Sequence, residues 1–323
     1  MAQPRNIAGP VVRGADFWGR TPEVNELWRQ AHRGSVLLTG PRRYGKSSLM
    51  YSMLDEPQPG WSVLLTDVEA VASPAEFLTA LTADLLTKDP VRKLFASAKA
   101  LPKALRGWLA GIVDQVEVGV PHVGEVKIRL RERLTESTPW AELGEQVLGH
   151  LRELREDLLI IVDEFPMMIA NFLEANEPLG IHFLKWFRTC RQKPGFERLR
   201  FLLGGSVNIE PRLERLQIES LLGDLQRFRV SGMPLERAET FVREVLEGEH
   251  ALFEAGVPGE CVRIARSGVH YYLQVLISEV TVHGARPLDH AASNEGAGAP
   301  DMYARQESTM KSWTEPRRWR SVA

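Results

Sequence analysis

Gly40-Pro41-Arg42-Arg43-Tyr44-Gly45-Lys46-Ser47, GPRRYGKS, matches the pattern G-x-x-x-x-G-K-[ST] and follows the apolar run Ser35-Val36-Leu37-Leu38-Thr39. The context says more than the match. A buried strand feeding a glycine-rich turn, with a helix from Ser47 to Leu54 starting right after the lysine, is a geometry that cradles phosphates. Gly40 and Gly45 permit positive φ and close backbone approach. Successive N–H groups and the helix N-terminus then face the anion. On this reading Lys46 reaches the β- and γ-phosphates of a nucleotide and the Ser47 hydroxyl ligates Mg²⁺. Pro41, Arg42, Arg43, Tyr44 and Ser48 belong to the same cradle.

The rest of the chain sets bounds on this reading. Its 323 residues allow two domains, or one α/β domain with an appendage. At 44% hydrophobic and 25% charged the composition is that of an ordinary globular protein. A net charge of −2 supplies no global basic field to recruit nucleic acid or acidic lipid. Two cysteines, Cys190 and Cys261, are too few for a disulfide framework and lack metal-ligand spacing. The N-terminus has no apolar signal-peptide region, and no run approaches the length of a membrane span. The expectation is a cytoplasmic protein with no membrane partner.

Periodicity organises the chain into four stretches. Residues 1–16 read as a loose lead-in. A core covers 17–232. It opens with a helix from Glu23 to His32, for which Thr21 is the expected N-cap and Pro22 the first helical residue. Strands are expected at Ser35–Thr39, Trp61–Asp67, Leu158–Val162, Arg200–Leu203 and Phe228–Val230, with helices opening at Ser73-Pro74 and spanning Pro139–Arg155. Alternation of strands with helices argues a parallel sheet covered on both faces. Residues 90–140 read as an insertion: Val91–Leu109 as a helix, and Gln115–Leu130, alternating around Pro121 and Gly124, as a hairpin. From 233 to 283 the pattern becomes purely helical (Leu235–Glu247, Pro258–Arg266, Tyr271–Val282) and reads as a small lid. Residues 284–323 lose periodicity and read as disordered.

A second feature answers the glycine loop. Leu158-Leu159-Ile160-Ile161-Val162-Asp163-Glu164 is an apolar strand that delivers two carboxylates at its C-terminal edge, where open α/β sheets bind ligands. Asp163 would hold Mg²⁺ opposite Ser47. Glu164 would orient and polarise an attacking water. A third feature, Phe201 to Asn208 (FLLGGSVN), ends a neighbouring strand in small polar residues. Ser206 is the choice there for contact with a γ-phosphate or lytic water, with Asn208 second.

These residues resemble the STAND/AAA+ type of P-loop ATPase found in archaea and bacteria. The resemblance rests on Phe17-Trp18-Gly19-Arg20 as an F-x-G-R box, Gly40 to Leu49 as the loop, Leu158 to Glu164 as the Asp-Glu strand, and Gly205-Ser206 at the sensor position. It runs from about residue 16 to 283. It implies a P-loop NTPase core with a five-stranded parallel sheet whose Asp-Glu strand is central, followed by the helical lid. It also implies ATP and Mg²⁺ as ligands and places Trp18 and Gly19 near the adenine. The lid motif of that family usually carries a proline. Here the corresponding place reads Ser267 to Leu273 without one, leaving His270 as a phosphate contact or a helix-start residue. Relatives continue into a winged helix, which 284–323 cannot build, so that stretch reads as a divergent tail or a truncation.

The function expected is an ATP-binding, ATP-hydrolysing switch that gates a signalling or defence-type assembly. The alternatives are a DNA-associated initiator-like module and a nucleotide-holding scaffold. No guanine-reading N-K-x-D occurs, which favours ATP. The tail's Lys311, Arg317, Arg318 and Arg320 are too few for a docking fold, which argues against nucleic acid. A homo-oligomer and a protein partner of unknown identity stay open. Arg188, Arg191, Arg212 and Arg215 are the candidates for an arginine acting across subunits, and Asp67 and Glu69 read as surface residues.

Overall fold

The structure, a computed structural model, describes residues 4–97, 101–117, 139–265 and 268–283. Among them five strands form one sheet, β1 (Val36–Thr39), β2 (Trp61–Asp67), β3 (Asp157–Asp163), β4 (Leu199–Gly204) and β5 (Gln226–Arg229). Every pairing is parallel and the order is β2-β3-β4-β1-β5. The α/β P-loop core read from the sequence is therefore the fold. One expectation is corrected: β4, not the Asp-Glu strand β3, occupies the centre. β3 lies between β2 and β4, and that is enough to bury Leu158 through Val162 on both faces.

Alternation along the strands feeds two cores. Leu37, Leu64, Ile160, Val162 and Leu203 face one side, with α3 (Pro74–Leu86) and the helices of 89–192. Val36, Leu38, Val63, Leu159, Ile161 and Leu202 face the other, against α1 (Thr21–Arg33) and α2 (Lys46–Asp55). Start signals act much as the sequence suggests. Ser73 accepts the Glu76 amide at 3.3 Å and caps α3. Thr21, however, is the first helical residue of α1 and Arg20 stands at the cap, where its side chain makes no capping bond to a backbone amide.

The segment read as one helix over Val91–Leu109 is two, α4 (Asp89–Ser97) and α5 (Lys103–Glu117), with Pro102 just before the second. The hairpin expected from Gln115 fails at its first residues. Gln115–Glu117 continue α5, whose buried Leu105, Leu109 and Ile112 set a helical period, and the remainder of that expectation lies outside the described residues. Next come α6 (Trp140–Leu151), α7 (Phe165–Ala175), α8 (Glu177–Gln192) and the short α9 (Glu210–Arg215). Described residues of the N-terminal lead-in make contacts with later ones. Arg5 pairs with Asp16, and Arg13 pairs with Asp55 while lying 4.7 Å over the Tyr51 ring.

The chain divides after Gly232 into two compact units. In the second, α10 (Leu235–Gly248), α11 (Val257–Ala265) and α12 (His270–His283) bury Phe241, Val245, Cys261, Leu273 and Ile277. Gly268 is required there by close approach, because a Cβ would fall 1.9 Å from the Met233 carbonyl oxygen. The expected tail, 284–323, lies outside the described residues. No helix among the described residues is long and apolar enough to cross a membrane.

Candidate functional site

The loop joins β1 to α2, and its two glycines serve different needs. Gly45, at φ 81° and ψ 24°, is the left-handed N-cap of α2, with open space where a Cβ would sit. Gly40 is a matter of clearance: a Cβ would lie 3.2 Å from both the Cβ and the carbonyl oxygen of Val230. Arg43 also adopts a left-handed backbone (φ 69°), which the sequence does not announce because non-glycine residues rarely do so.

Lys46, expected to precede the helix, is its first residue and is only 7% exposed. Its ammonium donates to the carbonyls of Gly40 and Pro41, both at 2.7 Å. Burial pulls the lysine below its ordinary pKa, against the opposing pull of the Glu164 and Asp163 charges.

The Asp-Glu strand meets this loop. Ser47 Oγ donates to Asp163 Oδ2 at 3.0 Å, and the Glu164 amide donates to Asp163 Oδ1 at 2.9 Å. Burial nevertheless raises the Asp163 carboxyl above its ordinary range, and the charges of Glu164 and Asp67 add to the rise. Ser47 Oγ and Asp163 Oδ2 are thus two hard oxygen donors side by side, a set that suits Mg²⁺ completed by phosphate oxygens and water.

Glu164 turns the chain from β3 into α7 through a left-handed backbone, φ 58° and ψ 25°. Such a conformation costs a non-glycine residue about 1–3 kcal/mol. It is held on the far side by the end of β4. The Ser206 amide and hydroxyl both donate to Glu164 Oε2, at 3.1 and 3.2 Å. Gly205 permits the approach, since a Cβ there would stand 2.7 Å from Pro166 Cδ and 3.1 Å from the same Oε2. Asn208 is turned elsewhere, accepting the Glu210 amide at 3.2 Å.

The structure therefore brings together Lys46, Ser47, Asp163, Glu164 and Ser206 from the C-terminal ends of β1, β3 and β4. Asp67, at the end of β2 and exposed, accepts the Glu69 amide and is in register with Asp163. His270 starts α12 in the second unit and meets the Phe241 ring at 4.9 Å. Among the arginine candidates, Arg191 is ruled out as a residue reaching another subunit. Its side chain is 1% exposed, pairs with Asp224 and lies 4.5 Å over Phe187. Arg215 is exposed, and Arg188 and Arg212 are half-buried.

Trp18 is half-buried and Gly19 left-handed (φ 73°), and Arg20, which sequence reasoning did not single out, bonds to the loop. Its guanidinium donates to the Tyr44 carbonyl at 3.2 Å, the Ser231 carbonyl at 2.8 Å and Glu23 at 2.9 Å. The only hint of this in the sequence is the arginine closing F-x-G-R. A cavity of about 280 Å³ lies nearby among Phe17, Val24, Trp28 and Asp55, and no residue of the loop lines it. Both cysteines are buried and their thiols are pushed up to about 12, so neither is a nucleophile.

No protein-family model and no curated protein matches this sequence. Solved structures do. A Walker-type ATPase of Pyrococcus abyssi superposes with a TM-score of 0.57 at 18% identity, over 87% of this chain and 72% of that one. The ORC1 protein of Aeropyrum pernix, solved with DNA, gives a TM-score of 0.43 at 17% identity, over 84% of this chain and 61% of its own. The ORC2 protein of the same organism, solved as ADPNP and ADP complexes, gives 0.47 at 15% identity, over 84% and 63%. Likenesses as loose as the last two carry no argument. The first, together with the strand order and the loop, shows that the chain has the fold of a Walker-type ATPase.

Proposed function

We propose that the protein binds Mg²⁺-ATP in the loop of residues 40–48 and hydrolyses it to ADP and phosphate. In this reading it acts as a molecular switch of the STAND/AAA+ kind that gates a signalling or defence-type assembly. The observation that carries the reading is the convergence of five residues from three strand ends: a buried ammonium, a hydroxyl touching a carboxylate, and a second carboxylate held by a serine.

Each has a task in hydrolysis. The loop amides and Lys46 hold the β- and γ-phosphates, with the ammonium drawn from the Gly40 and Pro41 carbonyls toward the anion. Ser47 and Asp163 would hold Mg²⁺, which neutralises charge on the phosphate oxygens. Glu164 takes up the proton of a water as its oxygen bonds to the γ-phosphorus and the bond to the β-phosphate oxygen breaks. Ser206 donates both its bonds to Oε2, which leaves Oε1 to face that water and fixes the carboxylate's orientation. Stabilising a dispersed negative charge by preorganised donors is the main task in phosphoryl transfer.

Lys46→Ala tests the binding half. A ligand at a hundredfold excess over its Kd stabilises the folded state by roughly 2.7 kcal/mol. Mg²⁺-ATP should therefore raise the melting temperature of the wild type and leave Lys46→Ala unmoved. Equal shifts in both would remove the loop as the site. Binding by the wild type with no phosphate release at any protein concentration would leave a nucleotide-holding scaffold in place of an ATPase.

A further inference from the structure

We propose that Arg20 is a positioning residue for the phosphate loop, acting on its backbone rather than on the nucleotide. The inference rests on the reading of the loop as a nucleotide site. Arg20 is 3% exposed. A guanidinium that far from water is tolerated only when its donors are met. Those donors tie three elements together: Glu23 in the first turn of α1, Ser231 just after β5, and Tyr44 inside the loop.

The Tyr44 contact is the informative one. Tyr44 precedes Gly45, the left-handed cap of α2. In the trans peptide joining them, C=O and N–H point to opposite sides. Holding the Tyr44 carbonyl against Arg20 therefore turns the Gly45 N–H away from Arg20, to the side where the loop amides must face an anion. The other end of the loop is braced by the same segment after β5, because Val230 abuts Gly40 and its amide donates to Thr39 at 2.8 Å. Two more contacts come from the N-terminal stretch. The Gly9 carbonyl accepts from Arg43 at 3.3 Å, and the Val12 amide donates to Ser48 Oγ at 3.2 Å. The cradle is thus shaped from outside by residues 9–23 and 230–231, and Arg20 joins the two by reaching both Tyr44 and Ser231.

Arg20→Lys is the decisive variant. It keeps the charge but replaces a planar five-donor fork, whose two terminal nitrogens reach Ser231 and Tyr44 separately, by a compact ammonium that does not reproduce that spread while also meeting Glu23. The expected result is cooperative melting with Mg²⁺-ADP affinity weakened about tenfold or more, the scale of losing an aimed charge-assisted bond. Glu23→Gln, which leaves Arg20 present but loosens it, should weaken affinity in the same direction by less. The amide resonance of Gly45, followed by glycine-selective labelling without nucleotide, should move in both. A role in fold stability alone would lower the melting temperature and leave affinity and that resonance unchanged. Wild-type affinity in both variants with an unmoved Gly45 amide overturns the proposal. Failure of the wild type itself to bind Mg²⁺-ADP would instead sink the nucleotide reading, while the Gly45 resonance in Arg20→Lys still decides the role of Arg20.

Discussion

The two faces of the sheet are built on different principles. On one, Phe77, Phe165, Phe183, Phe187 and Phe201 are fully buried and meet ring to ring, with Phe187 stacked on Phe183 at 5.8 Å and edge-on to Phe201 at 4.9 Å. Trp140 and Trp186 extend the cluster, and the Trp186 indole N–H reaches the Ala141 carbonyl at 3.0 Å. On the other face, α2 brings Lys46 and Ser48 under cover and Arg20 lies buried close by. Its loop holds Arg43 in a left-handed backbone, and Glu164, at the C-terminal end of β3, is held likewise. The first face is mainly apolar contact that stabilises the fold, with the buried Arg191 paired to Asp224 and laid over Phe187 as a charged exception. The second keeps desolvated charge and strained backbone in place, a combination typical of sites shaped for function rather than for stability.

The contrast can be broken by mutation. The largest effect expected is from Phe187→Ala on the aromatic face, which should lower unfolding stability by about 3–5 kcal/mol through lost transfer energy and a cavity. Denaturant titration measures it. Nucleotide affinity, measured where the variant is still folded, should stay near wild type. A large change in affinity would mean that the two faces are coupled more tightly than the packing suggests.

Next in size is Glu164→Gln, which keeps the side chain's shape and hydrogen-bonding capacity but removes the charge that polarises water. Phosphate release should fall on the order of a hundredfold or more, with ATP affinity little changed. The assay belongs at high protein concentration, since an arginine supplied by a neighbouring subunit can be worth about 10³–10⁵ in rate. Turnover as fast as a clearly active wild type would remove Glu164 from its assigned role.

The smallest effect has the most telling sign. The folded-state pKa of Asp163 is raised, so the folded protein holds that proton more tightly than the unfolded chain does. Its contribution to stability is present below the ordinary carboxylate pKa and is lost as pH rises through the raised value. Asp163→Asn should therefore melt somewhat higher than wild type at neutral pH without nucleotide, and the gap should close toward about pH 4. With Mg²⁺-ATP the order should reverse, because the variant lacks the carboxylate that would hold the ion. A variant less stable than wild type at neutral pH without nucleotide would mean that the Ser47 and Glu164 bonds outweigh the burial of the charge.

Much of this was legible in the residues, and the misses share a cause. The bounds of β2 match the WSVLLTD run, and β3 exceeds its apolar core by one residue at each end, because buried parallel strands are written as unbroken apolar stretches. The strand order was not legible. Placing β4 at the centre depends on pairings between distant segments, and no local pattern encodes them. Periodicity misled at Gln115–Glu117, where alternating valines outweighed the helical spacing of Leu105, Leu109 and Ile112. At the candidate site, the residues proposed to bear the chemistry were marked out by type and spacing, and Ser47 meets Asp163 and Ser206 meets Glu164 in the structure. The left-handed backbones of Arg43 and Glu164 were not marked out, since neither side chain favours that region and the surrounding contacts impose it. Arg20 was hidden for the same reason: a buried arginine differs from a solvated one only in its tertiary partners.

The bonds from Lys46 to the Gly40 and Pro41 carbonyls have a kinetic consequence. A phosphate that recruits the ammonium must take it from two acceptors already at hydrogen-bond distance, so capture includes a first-order rearrangement of the loop after or before encounter. In stopped-flow mixing the observed association rate should then level off as nucleotide concentration rises, rather than climb in a straight line toward the diffusion limit. On the proposed nucleotide reading, release would return the lysine to the carbonyls, so the same contacts that slow arrival would also help the product leave.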